Sequence, residues 1–120
     1  MAYLKDYQTG RTLLAIDGEY IKDYQTGRIR YRISSDKVID YQTGRYLFEL
    51  SGGYVKDYQT GRYLLTISGS QVKDYRTGAI IASYDTTLIK DYRTGRILYK
   101  IDGFLSGREM ASLIAILFAV

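Results

Sequence analysis

Residues 110–120 (MASLIAILFAV) have no polar face at helical spacing, so a helix there is apolar all round and requires burial on every side. Residues 1–105 obey a different pattern. Short runs rich in β-branched, leucine and aromatic residues alternate with Gly, Asp, Ser and Thr clusters, the sign of strands and turns. Thr-Gly recurs with Gly10, Gly27, Gly44, Gly61, Gly78 and Gly95, a strict period of 17 residues. Each unit reads as an aliphatic residue, usually Lys, then Asp-Tyr-Gln/Arg-Thr-Gly-Arg and a second apolar run. Residues 20–33 (YIKDYQTGRIRYRI) show both strands and the turn. Thr26-Gly27 ends a predicted type I turn, with the glycine at positive φ and Asp23 bonding amides across it. Return connections are predicted at Asp17-Gly18, Ser34-Ser35-Asp36, Ser51-Gly52-Gly53, Ser68-Gly69-Ser70, Asp85-Thr86-Thr87 and Asp102-Gly103.

Six hairpins over residues 1–103 make about twelve antiparallel strands, and closure into an up-and-down barrel removes the two free edges. A barrel of this size leaves a lumen too wide for its own side chains, which the terminal helix suits as a plug. Ser106 and Glu109 have capping-box spacing, with Leu105 and Met110 as the hydrophobic staple, so the helix is expected over residues 106–120. It runs back toward the Thr-Gly turns. Residues 1–120 thus form one all-β domain with a single helix. The inward set is Leu4, Ile21, Val38, Val55, Val72 and Ile89, joined by Ile16, Ile33, Leu50, Ile67, Tyr84 and Ile101 and by Leu14, Tyr31, Phe48 and Leu65. Leu13, Leu47, Leu64, Ile81 and Leu98 break the alternation. Either a bulge turns them inward, or an outer apolar belt buries itself by self-association.

This arrangement resembles the tubby-like fold, in its LURP-one-related, phospholipid-scramblase-like branch. The likeness rests on the strand, Asp-x-x-x-Gly, strand hairpin (Asp6 with Gly10, Asp40 with Gly44, Asp91 with Gly95) and on the apolar terminal segment from Glu109 to Val120. It spans the whole chain, which is shorter than the family's domains and has nearly identical repeats where theirs diverge, a mark of recent duplication or consensus-style engineering. Tubby binds phosphoinositide head groups, but none of its binding residues maps onto a position here.

Composition narrows the chemistry. The chain has no cysteine and no histidine, which removes disulfides, thiolate and imidazole metal ligands and the commonest general base. Seventeen basic and 13 acidic residues, spread evenly along the sequence, give a formal +4. Asp6, Asp23, Asp40, Asp57, Asp74 and Asp91 share one environment, which suits turn capping and not an acid/base pair, whose carboxyls need different surroundings. No enzyme, cofactor or metal is expected. Tyr7, Tyr24, Tyr41, Tyr58, Tyr75 and Tyr92 are expected to pack across strands over the turn glycines. The candidate binding residues are Arg11, Arg28, Arg45, Arg62, Arg76, Arg93 and Arg96 around the Thr-Gly turns, with Lys5, Lys22, Lys56, Lys73 and Lys90 beneath them. They are read either as solvated charges pairing across strands or as a surface for anionic lipid. No nucleic-acid module is recognisable. The opening residues lack a signal-peptide pattern, so a cytoplasmic protein is expected. The leading reading is a structural or interaction module with an unknown protein partner, and the second is a peripheral anionic-lipid binder.

Overall fold

The computed structural model describes all residues, 1–120, as twelve strands and one helix. The strands are β1 (Ala2–Asp6), β2 (Thr12–Asp17), β3 (Tyr20–Asp23), β4 (Ile29–Ser34), β5 (Lys37–Asp40), β6 (Tyr46–Ser51), β7 (Tyr54–Asp57), β8 (Tyr63–Ser68), β9 (Gln71–Asp74), β10 (Ile80–Tyr84), β11 (Leu88–Asp91) and β12 (Ile97–Asp102). Each pairs antiparallel with its sequence neighbours, and β1 pairs with β12 through Leu4 opposite Ile101, so the sheet is a closed barrel with no edge. The molecule is a thick disc of 35 × 34 × 20 Å. The helix α1 (Gly107–Phe118) has 12 residues, hence a length of about 18 Å, and spans the short dimension.

Cross-strand pairs such as Ile16 with Ile21, Ile33 with Val38 and Val55 with Leu65 line the lumen. The ring Leu4, Ile21, Val38, Val55, Val72 and Ile89 is completely buried, and with Leu113, Ile114 and Ala115 of α1 it forms one core. Leu50, Ile67 and Tyr84 are half-buried. Tyr84 stands where the other repeats carry an aliphatic side chain, and its hydroxyl donates to the Gly69 carbonyl (3.1 Å), so the polar tip keeps a partner. The capping box forms as expected, with the Glu109 amide donating to Ser106 Oγ (3.2 Å) and the Ser106 amide to Glu109 Oε1 (2.8 Å). The buried Ser112 hydroxyl donates to the Arg108 carbonyl (2.9 Å).

The alternation puzzle is resolved by bulges. Every Thr-Gly hairpin slips by one residue, and the extra residue is Leu13, Arg30, Leu47, Leu64, Ile81 or Leu98. A bulge sets two residues against one, so the next side chain need not alternate outward. Leu13, Leu47, Leu64 and Ile81 therefore pack against the core, and Leu98 is half-buried. No outer leucine belt remains to drive self-association through these side chains. The helix also departs from expectation: burial is complete only over Ser112 to Ala115, and Ile116 to Ala119 are half-buried where α1 emerges among the Thr-Gly turns.

Candidate functional site: the Thr-Gly rim

Six copies of one turn make this rim. In the first, the Gly10 amide donates to the Asp6 carbonyl (2.8 Å), and the Asp6 amide donates to the Arg11 carbonyl (2.8 Å). The first bond spans five residues, one more than the four-residue turn predicted, and Gly10 takes φ +74° to return the chain. Asp6 Oδ2 accepts from the Thr9 amide (2.9 Å) and hydroxyl (2.7 Å), and Thr9 Oγ1 in turn accepts from the Arg11 amide (3.2 Å). Asp23, Asp57, Asp74 and Asp91 hold their threonines in the same way. Asp40 accepts from the Thr43 hydroxyl and the Gln42 amide. The carboxylates are thus occupied by the turn, as the sequence suggested.

These bonds have a consequence for pH. The threonine hydroxyl, then its amide and more weakly the nearby arginines hold Asp6, Asp23, Asp57 and Asp91 below the ordinary aspartate value of 3.8. A carboxyl held lower in the folded chain than in the unfolded one contributes stability above pH 3.8. That stability is lost as pH falls through the folded value. The melting temperature is expected to drop on acidification below pH 4, and replacing Thr9, Thr26, Thr60 and Thr94 by valine should flatten that drop. An unchanged pH profile in the fourfold variant would show that the turns do not carry it.

The arginines behave differently from the carboxylates. Arg11, Arg28, Arg45, Arg62, Arg76, Arg93 and Arg96 are all exposed, and none makes an ion pair; the four salt bridges of the molecule lie elsewhere, at Lys5–Asp102, Arg32–Glu19, Lys37–Asp36 and Lys100–Asp102. Of the two readings of these basic residues, cross-strand pairing holds for Lys5, which pairs with Asp102 on β12, while the seven arginines stay solvated and unpaired. Arg28 and Arg45 line a cavity of about 690 Å³ beside the end of α1, whereas the other five stand around the rim outside it. The cavity also holds Arg30, which no spacing argument singled out. Arg30 is the one polar residue among six bulge positions, and the bulge that directs Leu47 to the helix directs Arg30 into this mouth. The signal was available in the alignment of the repeats with one another. Leu47, Phe48, Ala119 and Val120 contribute apolar surface to the same cavity. Asp23, Asp40 and Asp57 line it too, so the three arginines are matched by three carboxylates within the cavity.

No protein-family model matches the chain, and no curated protein or solved structure does either.

Charge that is even along the sequence is sorted by the fold. Residues 5–13, 22–30, 39–47, 56–64, 73–81 and 90–98, which build the Thr-Gly half of the disc, contain 13 of the 17 basic and six of the 13 acidic side chains, a formal +7. The four basic and seven acidic residues left over give the opposite half −3, and the two halves sum to the chain's +4. Just outside the arginines, Tyr7, Tyr24, Tyr41, Tyr58, Tyr75 and Tyr92 form a ring, each about half exposed. They do not lie over the turn glycines, around which nothing comes within 4 Å of an added Cβ. Tyr24, just after β3, meets Tyr3 of β1 edge-on, and Tyr41, just after β5, meets Tyr20 of β3 (5.9 Å each), so the rings reach across one intervening strand.

Proposed function

We propose that this protein is a non-enzymatic interaction module whose Thr-Gly face docks on an anionic membrane surface. The observation that carries the reading is the +7 half-disc, in which none of the seven exposed arginines forms a salt bridge. The face is broad, 35 × 34 Å, and the tyrosines that ring it have the amphipathic side chains favoured at headgroup depth. The barrel lies on a bilayer and does not cross it. Its strands have four to six residues where a spanning strand needs about 9 to 11, and Lys22, Arg32, Glu49, Lys56 and Lys73 stand on strands whose aliphatic neighbours already fill the lumen. The negative potential of the cytoplasmic leaflet makes a cytoplasmic location the fitting one. Membership of the tubby-like fold belongs to the same proposal and draws its support from the closed barrel around an apolar C-terminal helix.

Co-sedimentation with vesicles of phosphatidylcholine alone, or with added phosphatidylserine, tests this. Each basic side chain near anionic lipid contributes about 1 kcal/mol, so changing Arg45, Arg62, Arg76 and Arg93 together to glutamine should weaken binding up to roughly a thousandfold. Raising the salt should weaken it as well, since the Debye length falls to about 3 Å at 1 M. Equal recovery with neutral and anionic vesicles, or no effect of the four changes, rejects the membrane. Binding to an oligonucleotide in place of vesicles would assign the face to nucleic acid.

A further inference from the structure

The two faces of the disc differ in more than charge. The return-turn face is built from glycine, serine and short acidic turns, and its most exposed apolar side chain is Phe104, 82% exposed, in the link between β12 and α1, with Met1, 66% exposed, on the same face just before β1. Its neighbours are already committed, Leu105 to the helix staple and Asp102 to Lys5, so the ring alone is free to meet a partner. On the Thr-Gly face lies the concave counterpart, the 690 Å³ mouth with Leu47, Phe48, Ala119 and Val120 within and Arg28 and Arg45 at its edge.

We infer that Phe104 of one copy inserts into the Thr-Gly mouth of the next, so that the barrels stack head to tail. Charge selects this polarity: a +7 face meets a −3 face, whereas like faces repel. The area is sufficient. An ellipse with axes of 35 and 34 Å covers roughly 900 Å², against about 800 Å² per partner in a standard stable interface. Screening permits the contact although each copy carries +4 overall. Facing charges meet within a Debye length of about 8 Å at physiological salt, while the far faces, 20 Å away, are screened out. A knob on one face and a hole on the other make a heterologous contact, which does not terminate at a dimer. The stack uses the same face as the membrane reading but does not rest on it, since a barrel bound to lipid still offers Phe104 outward.

Sedimentation velocity of the full chain over a concentration series in 0.15 M salt should show a mean size that rises without a dimer plateau. Phe104→Ser, at a side chain that supports nothing, should remain folded by circular dichroism and be monomeric. Arg28→Glu/Arg45→Glu keeps the knob and repels the acidic face, so it too should be monomeric. Mixed, the two variants complement each other once only: the knob of the second enters the mouth of the first, giving a species of twice 13.8 kDa and nothing larger. A parent that stays monomeric, a Phe104→Ser variant that associates like the parent, or a mixture that forms no heterodimer overturns the inference. Phe104→Ser should also bind anionic vesicles as the parent does, so a failed stack and a failed membrane reading give different results.

Discussion

Ile114→Asp is expected to unfold the protein. Ile114 is completely buried in the middle turn of α1, among aliphatic side chains of the barrel wall, with no polar atom available to a carboxylate. An unpaired charge in such a site costs several kcal/mol, as much as the whole stability of an ordinary domain of this size. The control is Ile114→Val, which removes one methylene and should cost about 0.5–1.5 kcal/mol. Circular dichroism and urea titration separate the two. An aspartate variant with the parent's urea midpoint would mean that the helix is not the core of the barrel.

Gly103→Val is expected to be the most damaging change at any turn. Gly103 has φ +102°, and a Cβ there would lie 2.8 Å from the Met1 carbonyl and 3.0 Å from the Ala2 Cα, at the seam where β1 closes on β12. Both obstacles are backbone, so neither can swing aside. The comparison is Gly61→Val, at φ +73° with nothing within 4 Å of the added Cβ. That change brings only the backbone strain of a β-branched residue at positive φ, about 1–2 kcal/mol. Gly103→Val adds the steric clash and must open the seam to relieve it. Thermal melts of the two variants should rank Gly103→Val clearly lower, and equal losses would place the whole cost in φ.

The 17-residue period and the apolar end were enough to read twelve strands, closure and an internal helix, because each is a periodicity carried by many residues at once. What escaped reading depends on single-residue events. Leu13 and Leu47 could be assigned to either face, since one bulge reverses parity and a bulge leaves no composition of its own at this site. Arg30 is hidden for the same reason: placed by alternation it is another outward charge, and placed by the bulge it enters the mouth. Tyr24 and Tyr41 do pack across strands, as expected, but on tyrosines of other repeats such as Tyr3, and not over the turn glycines. The charge asymmetry escaped too, because Lys22, Asp23 and Arg28 in one repeat and Glu49 in the next alternate along the chain and separate only when every turn of one kind comes to the same side.

A chain made of near-copies has no local instruction for how many copies to use. Adding one more hairpin would preserve every turn, bulge and cross-strand pair, and it would widen the circumference by two strand spacings, roughly 10 Å. The hairpins themselves would register no error. Only α1 would, because its girth is fixed while the opening around it grows, leaving gaps beside Leu113 and Ile114; with five hairpins it would no longer fit. The terminal helix is therefore a gauge of repeat number. Duplication within such a chain meets a threshold at six, set by a segment that is not itself a repeat.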